Sequence, residues 1–66
     1  MEKNEIINKI NEAQEQHKKF RVFTLCGEIS ADYYEFDIYI PDVINFYKNG
    51  EFVGAIIINT IIEITV

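Results

Sequence analysis

Sixty-six residues make one domain with one small core, and a chain of this size buries only about 60% of the surface its unfolded form exposes. Eleven acidic against six basic side chains leave a net charge of −5, a field that repels nucleic-acid phosphates and anionic membrane surfaces and draws basic partners. The single cysteine, Cys26, excludes an intramolecular disulfide and fits a reducing, cytoplasmic setting, so self-association is the expected source of extra stability.

The N-terminal MEKNEIINKI carries charges where a secretory leader needs an apolar centre. The same segment starts an amphipathic pattern. Ile6, Ile10, Ala13, His17 and Phe20 recur at spacings of four, three, four and three, and Ile7 widens the stripe, which predicts a helix over about 4–18 packed on a sheet of its own chain. Two heptads are too few for a coiled coil. Asn4 is placed to cap the helix, and Glu2 and Glu5 at its start and Lys18 and Lys19 at its end suit the helix dipole. Glu5 with Lys9 and Glu15 with Lys19 are expected as supporting pairs one turn apart.

From Phe20 the apolar period shortens to two. Phe20–Cys26 reads as a first strand, Gly27-Glu28 as a turn or bulge, and Ile29–Ile40 as one long strand. Its alternation sets Tyr34, Phe36, Ile38 and Ile40 on one face and Tyr33, Glu35, Asp37 and Tyr39 on the other. Pro41-Asp42 ends it. The next two strands, VINFYK and EFVGAIII, are joined by Asn49-Gly50, the pair that best tolerates the positive φ angles of a tight hairpin turn. The register then sets Lys48 against Glu51, Tyr47 against Phe52, Phe46 against Val53, Ile44 against Ala55 and Val43 against Ile56, with Gly54 relieving crowding near Asn45. After a break at Asn59-Thr60, Ile62, Ile64 and Val66 oppose Ile61, Glu63 and Thr65. No apolar run approaches the roughly 20 residues of a membrane span. The fold class expected is therefore α+β: one domain over 1–66, a helix packed on a five-stranded antiparallel meander over about 20–66.

Helix, TLCGE turn (Thr24–Glu28) and terminal block FVGAIIINTIIEITV together resemble, in order and spacing, the small SH3-like barrels, and in particular their Sm-like, Hfq-like subset. The resemblance implies a small barrel and, through ring assembly, an oligomer that binds RNA or a small ligand. Where Hfq-like proteins carry Tyr-Lys-His before the last strand, this chain has Ile58-Asn59-Thr60, without their basic rim.

Catalytic and metal-binding constellations are missing from the sequence. One Cys and one His fall short of the four ligands of a structural zinc site, no DxDxDG loop occurs for calcium, and Gly27, Gly50 and Gly54 are too scattered to cradle a phosphate. His17 and Cys26 lie near the helix–strand junction, but the apolar stripe and the strand assign both to packing. Glu35 and Asp37, roughly 7 Å apart on a strand face, have no pocket to shift either pKa. The chain is accordingly read as a non-enzyme without cofactor or metal.

Charge is partitioned along the chain. Four acids and four lysines cancel in residues 1–19, while seven acids face only Arg21 and Lys48 from Phe20 onward, seven less two giving the whole net charge. Two carboxylates interleaved with tyrosines form an acidic ridge with aromatic anchors, and tyrosine is enriched at interfaces. Tyr33, Glu35, Asp37 and Tyr39, with Tyr47 and Glu51, are the candidate partner-binding residues. The functional expectation is a small acidic interaction module, an inhibitor of anti-defence type from a phage or mobile element, that occupies a basic surface of a larger basic or nucleic-acid-binding protein, with no direct contact to nucleic acid or membrane. The isoleucine-, asparagine- and lysine-rich composition suits an AT-rich coding source.

Overall fold

The computed structural model describes residues 2–66. Helix α1 (Lys3–Glu15) is followed by β1 (Phe20–Thr24), β2 (Gly27–Ala31), β3 (Tyr33–Phe36), β4 (Val43–Lys48), β5 (Glu51–Ile57), a 3-10 turn (Ile58–Thr60) and β6 (Ile61–Thr65). Two antiparallel three-stranded sheets result, in the orders β2-β1-β6 and β3-β4-β5. The α+β class holds. A five-stranded meander closed into a barrel does not: the six strands of the described residues fall into two separate sheets, with no ladder joining β2 to β3 or β5 to β6.

The helix is shorter than its apolar stripe suggests. His17 adopts a left-handed φ of 55°, its N–H donates to the Gln14 carbonyl at 3.1 Å, and the Lys18 N–H donates to the Ala13 carbonyl at 3.0 Å. This reverse bonding stops a helix and satisfies its last carbonyls. His17 therefore ends α1 in solvent instead of joining the core, and Lys18 and Lys19 fall beyond its last turn. The expected Glu15–Lys19 pair has no helix to hold it. At the other end Glu2, not Asn4, is the N-cap residue, without a side-chain cap.

The long strand expected over Ile29–Ile40 is broken twice. At Asp32 the chain passes from one sheet to the other: the Asp32 N–H donates to the Tyr47 carbonyl at 2.9 Å, and its carboxylate accepts the Asn49 N–H at 3.1 Å. Past Phe36 the chain leaves the sheet, so Ile38, Tyr39 and Ile40 lie on the β3–β4 loop. The shared inner face of Tyr34, Phe36, Ile38 and Ile40 dissolves, and only Tyr34 packs against the core. Similarly β1 stops at Thr24, whose hydroxyl donates to the Gly27 carbonyl at 2.9 Å and accepts the Cys26 N–H at 3.1 Å. Cys26 is thereby an exposed turn residue and not a packed one.

Asn49 and Gly50 have φ values of 53° and 81°, as their hairpin turn demands. Lys48 faces Glu51 and Tyr47 faces Phe52, but a bulge then shifts the ladder by one residue, so that Phe46 faces Gly54, Asn45 faces Ala55, Ile44 faces Ile56 and Val43 faces Ile57. The slip takes Val53 out of the pairing. A second irregularity, between Phe23 and Thr24, leaves Ile62 unpaired in β6 and puts Ile61 and Ile64, three positions apart, both in the core.

Between helix and sheets lies one cluster: Ile6, Ile10 and Ala13 from α1, Phe20, Val22 and Ile64 from the first sheet, Ile44 and Phe46 from the second. Phe20 and Phe46 meet edge to face with ring centroids 5.9 Å apart, joining the two sheets. Helix and second sheet are tied by the Gln14 side chain, which accepts the Tyr34 N–H at 3.1 Å, and by the Tyr34 hydroxyl, which donates to Asn11.

Candidate functional site

The face of the second sheet turned away from the core is built in three rows. Antiparallel register places Tyr33, Tyr47 and Phe52 across β3, β4 and β5 in the first, and Glu35, Asn45 and Ala55 in the second. Val43 and Ile57 follow in the third, where the Asp37 N–H donates to the Val43 carbonyl at 3.0 Å.

The first row is a ladder of aromatic rings. Tyr33 and Tyr47 have centroids 5.9 Å apart and Tyr47 and Phe52 5.8 Å apart, spacings at which tilted rings attract. Tyr33 and Phe52, on the two edge strands, are 43% and 58% exposed, an apolar surface open to solvent. The Tyr33 hydroxyl donates to Glu35 at 3.0 Å. That hydrogen bond and the adjacent carboxylate charge raise the pKa of the hydroxyl above its ordinary value.

Asp37 has a different job from the one its alternation suggests. Its Oδ1 accepts the N–H groups of Tyr39 and Ile40, each at 2.8 Å, and its Oδ2 accepts the Asn45 side-chain amide at 3.2 Å. The Ile40 and Tyr39 N–H groups, with Asn45, hold the carboxyl below its usual range. Asp37 is thus the staple of the β3–β4 loop, tied through Asn45 to the row that holds Glu35. The loop it shapes holds Ile38, Tyr39 and Ile40 outward, with Ile38 83% and Tyr39 87% exposed.

Of the six expected residues, Tyr33, Glu35 and Tyr47 share one face, Glu51 lies at its hairpin end opposite Lys48, Tyr39 projects from the adjoining loop, and Asp37 fixes that loop. Phe52, Ile38 and Ile40 complete the surface. Phe52 is legible from the Asn-Gly register, which sets it against Tyr47; the loop residues carry no local signal.

The charge partition along the chain does not carry over into space. Lys3 bonds Asp42 and Lys9 bonds Glu63, each at 2.8 Å, so helix lysines neutralise two strand-region carboxylates and Lys9 is drawn from its expected partner Glu5. The Lys9 hydrogen bond, followed by the Ile64 N–H, lowers the Glu63 pKa. Glu35 and Asp37 have no cationic partner among the described residues.

Among the described residues no group of His, Cys, Asp or Glu side chains could hold a metal ion, and no helix is long and apolar enough to cross a membrane. The fold and this face define a small α+β protein of two antiparallel sheets with an aromatic, partly acidic outer surface. Comparison with protein-family models, with curated proteins and with solved structures gives no match.

Proposed function

We propose that the chain is a protein-interaction module whose docking surface is the outer face of β3-β4-β5 together with the β3–β4 loop. The observation that carries this reading is the exposed ring ladder Tyr33–Tyr47–Phe52 beside Glu35, a carboxylate without a cationic partner among the described residues. Rigid aromatic anchors give most of the energy in protein interfaces, and an adjacent charge selects the sign of the partner. The partner is then a larger protein with a basic surface, such as one that binds nucleic acid, and occupying that surface is inhibition of the anti-defence kind.

Affinity capture from host lysate at low and high salt tests the proposal. A basic protein retained at low salt and released at high salt, and lost with Glu35→Lys or Tyr39→Ala at unchanged thermal stability, is the expected result. A complex indifferent to salt and to both substitutions overturns it.

A second reading, an oligomeric ring of the Sm-like kind, has one observation in its favour. Strand β5 is seven residues long, pairs only with β4, and exposes Phe52, Val53 and Ile57. A long apolar edge is a template for pairing with another copy. Sedimentation at micromolar concentration decides it: a monomer throughout removes this reading.

A further inference from the structure

We propose that the groove where the start of β1 meets the end of β4 is a binding site for a single phosphate group carried by a small ligand. Arg21 lies on β1, the central strand of the first sheet, and its register partners are Ser30 on β2 and Thr65 on β6. Directly opposed residues share a face with Cβ atoms about 4.5–5.5 Å apart, so one guanidinium is flanked by a hydroxyl on each side. Lys19, from the segment before β1, Lys48, from the second sheet, and Val66 line the same groove. Its volume of about 430 Å³ is within the 300–1,000 Å³ typical of small-ligand sites.

What singles the groove out is the disposition of the cations. The chain has six, and Lys3 and Lys9 are engaged by Asp42 and Glu63. Three of the other four, Lys19, Arg21 and Lys48, converge here from two parts of the chain, the start of β1 and the end of β4. Among the described residues no carboxylate, that of Val66 included, is in ion-pair contact with any of them. The charged side chains lining the groove are thus donors only, and the two hydroxyls can also donate. A planar guanidinium binds two oxygens of a phosphate at once, and ammonium groups neutralise its remaining charge. Three cations outside any ion pair among the described residues, in a protein of net charge −5, suit a compact dianion.

Surrounding charge sets the size of the ligand. One row along the same face Phe23 pairs with Glu28, which has no ion-pair partner among the described residues, and Lys48 faces Glu51 across the hairpin. A polymer threading the groove would bring its next phosphates against these carboxylates. A single terminal phosphate avoids them. This inference concerns the junction of the two sheets and uses none of the residues of the interaction surface proposed for the outer face of the second.

Amide chemical-shift titration of the whole chain with inorganic phosphate, then with a nucleoside monophosphate, against sodium chloride of matched ionic strength, tests it. Saturable shifts centred on Arg21, Ser30, Lys48 and Thr65 are expected with both phosphates and not with chloride. Arg21→Gln and Lys48→Gln should each weaken binding about tenfold or more, while Lys3→Gln leaves it unchanged. Shifts that fail to saturate, that chloride reproduces, or that persist undiminished in both variants overturn the site. Tighter binding of a ten-nucleotide RNA than of the monophosphate overturns the restriction to one phosphate. Should Arg21→Gln fail to fold, Lys48→Gln at the end of the hairpin decides the question alone.

Discussion

The side-chain amide of Asn45 donates to the carboxylate of Asp37 across the mouth of the β3–β4 loop at 3.2 Å, while the other oxygen of that carboxylate holds the N–H groups of Tyr39 and Ile40. One acidic side chain therefore decides the shape of the most exposed apolar segment. Replacing Asp37 by Ala should free the loop without unfolding the protein, because the core residues lie elsewhere. Hydrogen-exchange protection of the Tyr39 and Ile40 amides should vanish, and affinity for a partner that uses the loop should fall about tenfold through the added cost of ordering it. Asp37→Asn, which keeps an acceptor oxygen, should recover part of both. Unchanged exchange in Asp37→Ala would show that the carboxylate does not organise the loop.

Titration follows from the same contacts. Asp37 and Glu63 have pKa values lowered in the fold, so the stability they contribute is present above their unfolded values of 3.8 and 4.5 and is lost as pH falls through the lower folded ones. Tyr33 and Tyr34 have raised values, Tyr33 through Glu35 and Tyr34 through burial. Their contribution is present below the unfolded 10.0 and is lost as pH rises through the folded values. Thermal denaturation should give a plateau between these limits with a decline at each end. In Glu35→Gln the tyrosine absorbance transition should begin at lower pH, since the carboxylate charge beside Tyr33 is gone.

Two glycines differ in what an added methyl would cost. Gly50 has open space around the Cβ position but a φ of 81°. Gly50→Ala should therefore destabilise by about 1–2 kcal/mol through backbone strain alone. Gly54, at an ordinary φ, would bring a Cβ to 4.0 Å from the Ile29 side chain, a normal contact. The bulge that sets Gly54 against Phe46 thus does not need a glycine for space. Gly54→Ala should be neutral or stabilising by up to about 1 kcal/mol. Urea denaturation of the two variants distinguishes strain from crowding.

Phe46 carries the junction of the two sheets, fully buried against Phe20. Phe46→Ala should cost about 3–5 kcal/mol. Domains are stable by roughly 0.05–0.15 kcal/mol per residue, about 3–10 kcal/mol for 66 residues, so that loss is at least about a third of the whole. Calorimetry should find the transition lowered by on the order of 10 °C or more. Phe52→Ala, at an exposed position of similar size, should barely move the transition.

Much of the architecture was legible before any coordinates. The Asn49-Gly50 turn, the stripe Ile6–Ile10–Ala13 and the break near Asn59-Thr60 rest on contacts between residues close in sequence, where dihedral preference and periodicity act directly. Boundaries were less legible: the apolar stripe runs on through His17 and Phe20, yet His17 adopts the left-handed conformation that ends the helix. The bulge after Phe46 shifts four pairings by one residue although the turn before it is as expected.

Of the candidate site, sequence alone determined its chemical character, because alternation along a strand is a property of the backbone: Tyr33 and Glu35 had to share a face, and Tyr47 had to oppose Phe52. Only the tertiary structure decided which strand lies beside which, since pairing between distant segments is settled by how they bury a common core. It brought Tyr33 against Tyr47 and set the Asp37 carboxylate on the N–H groups of its own loop. It also moved Lys3 and Lys9 onto acids of the strand region, and gathered Lys19, Arg21 and Lys48 around one groove. Charge counted along a chain is a sum, whereas the field a partner meets depends on distances that folding sets.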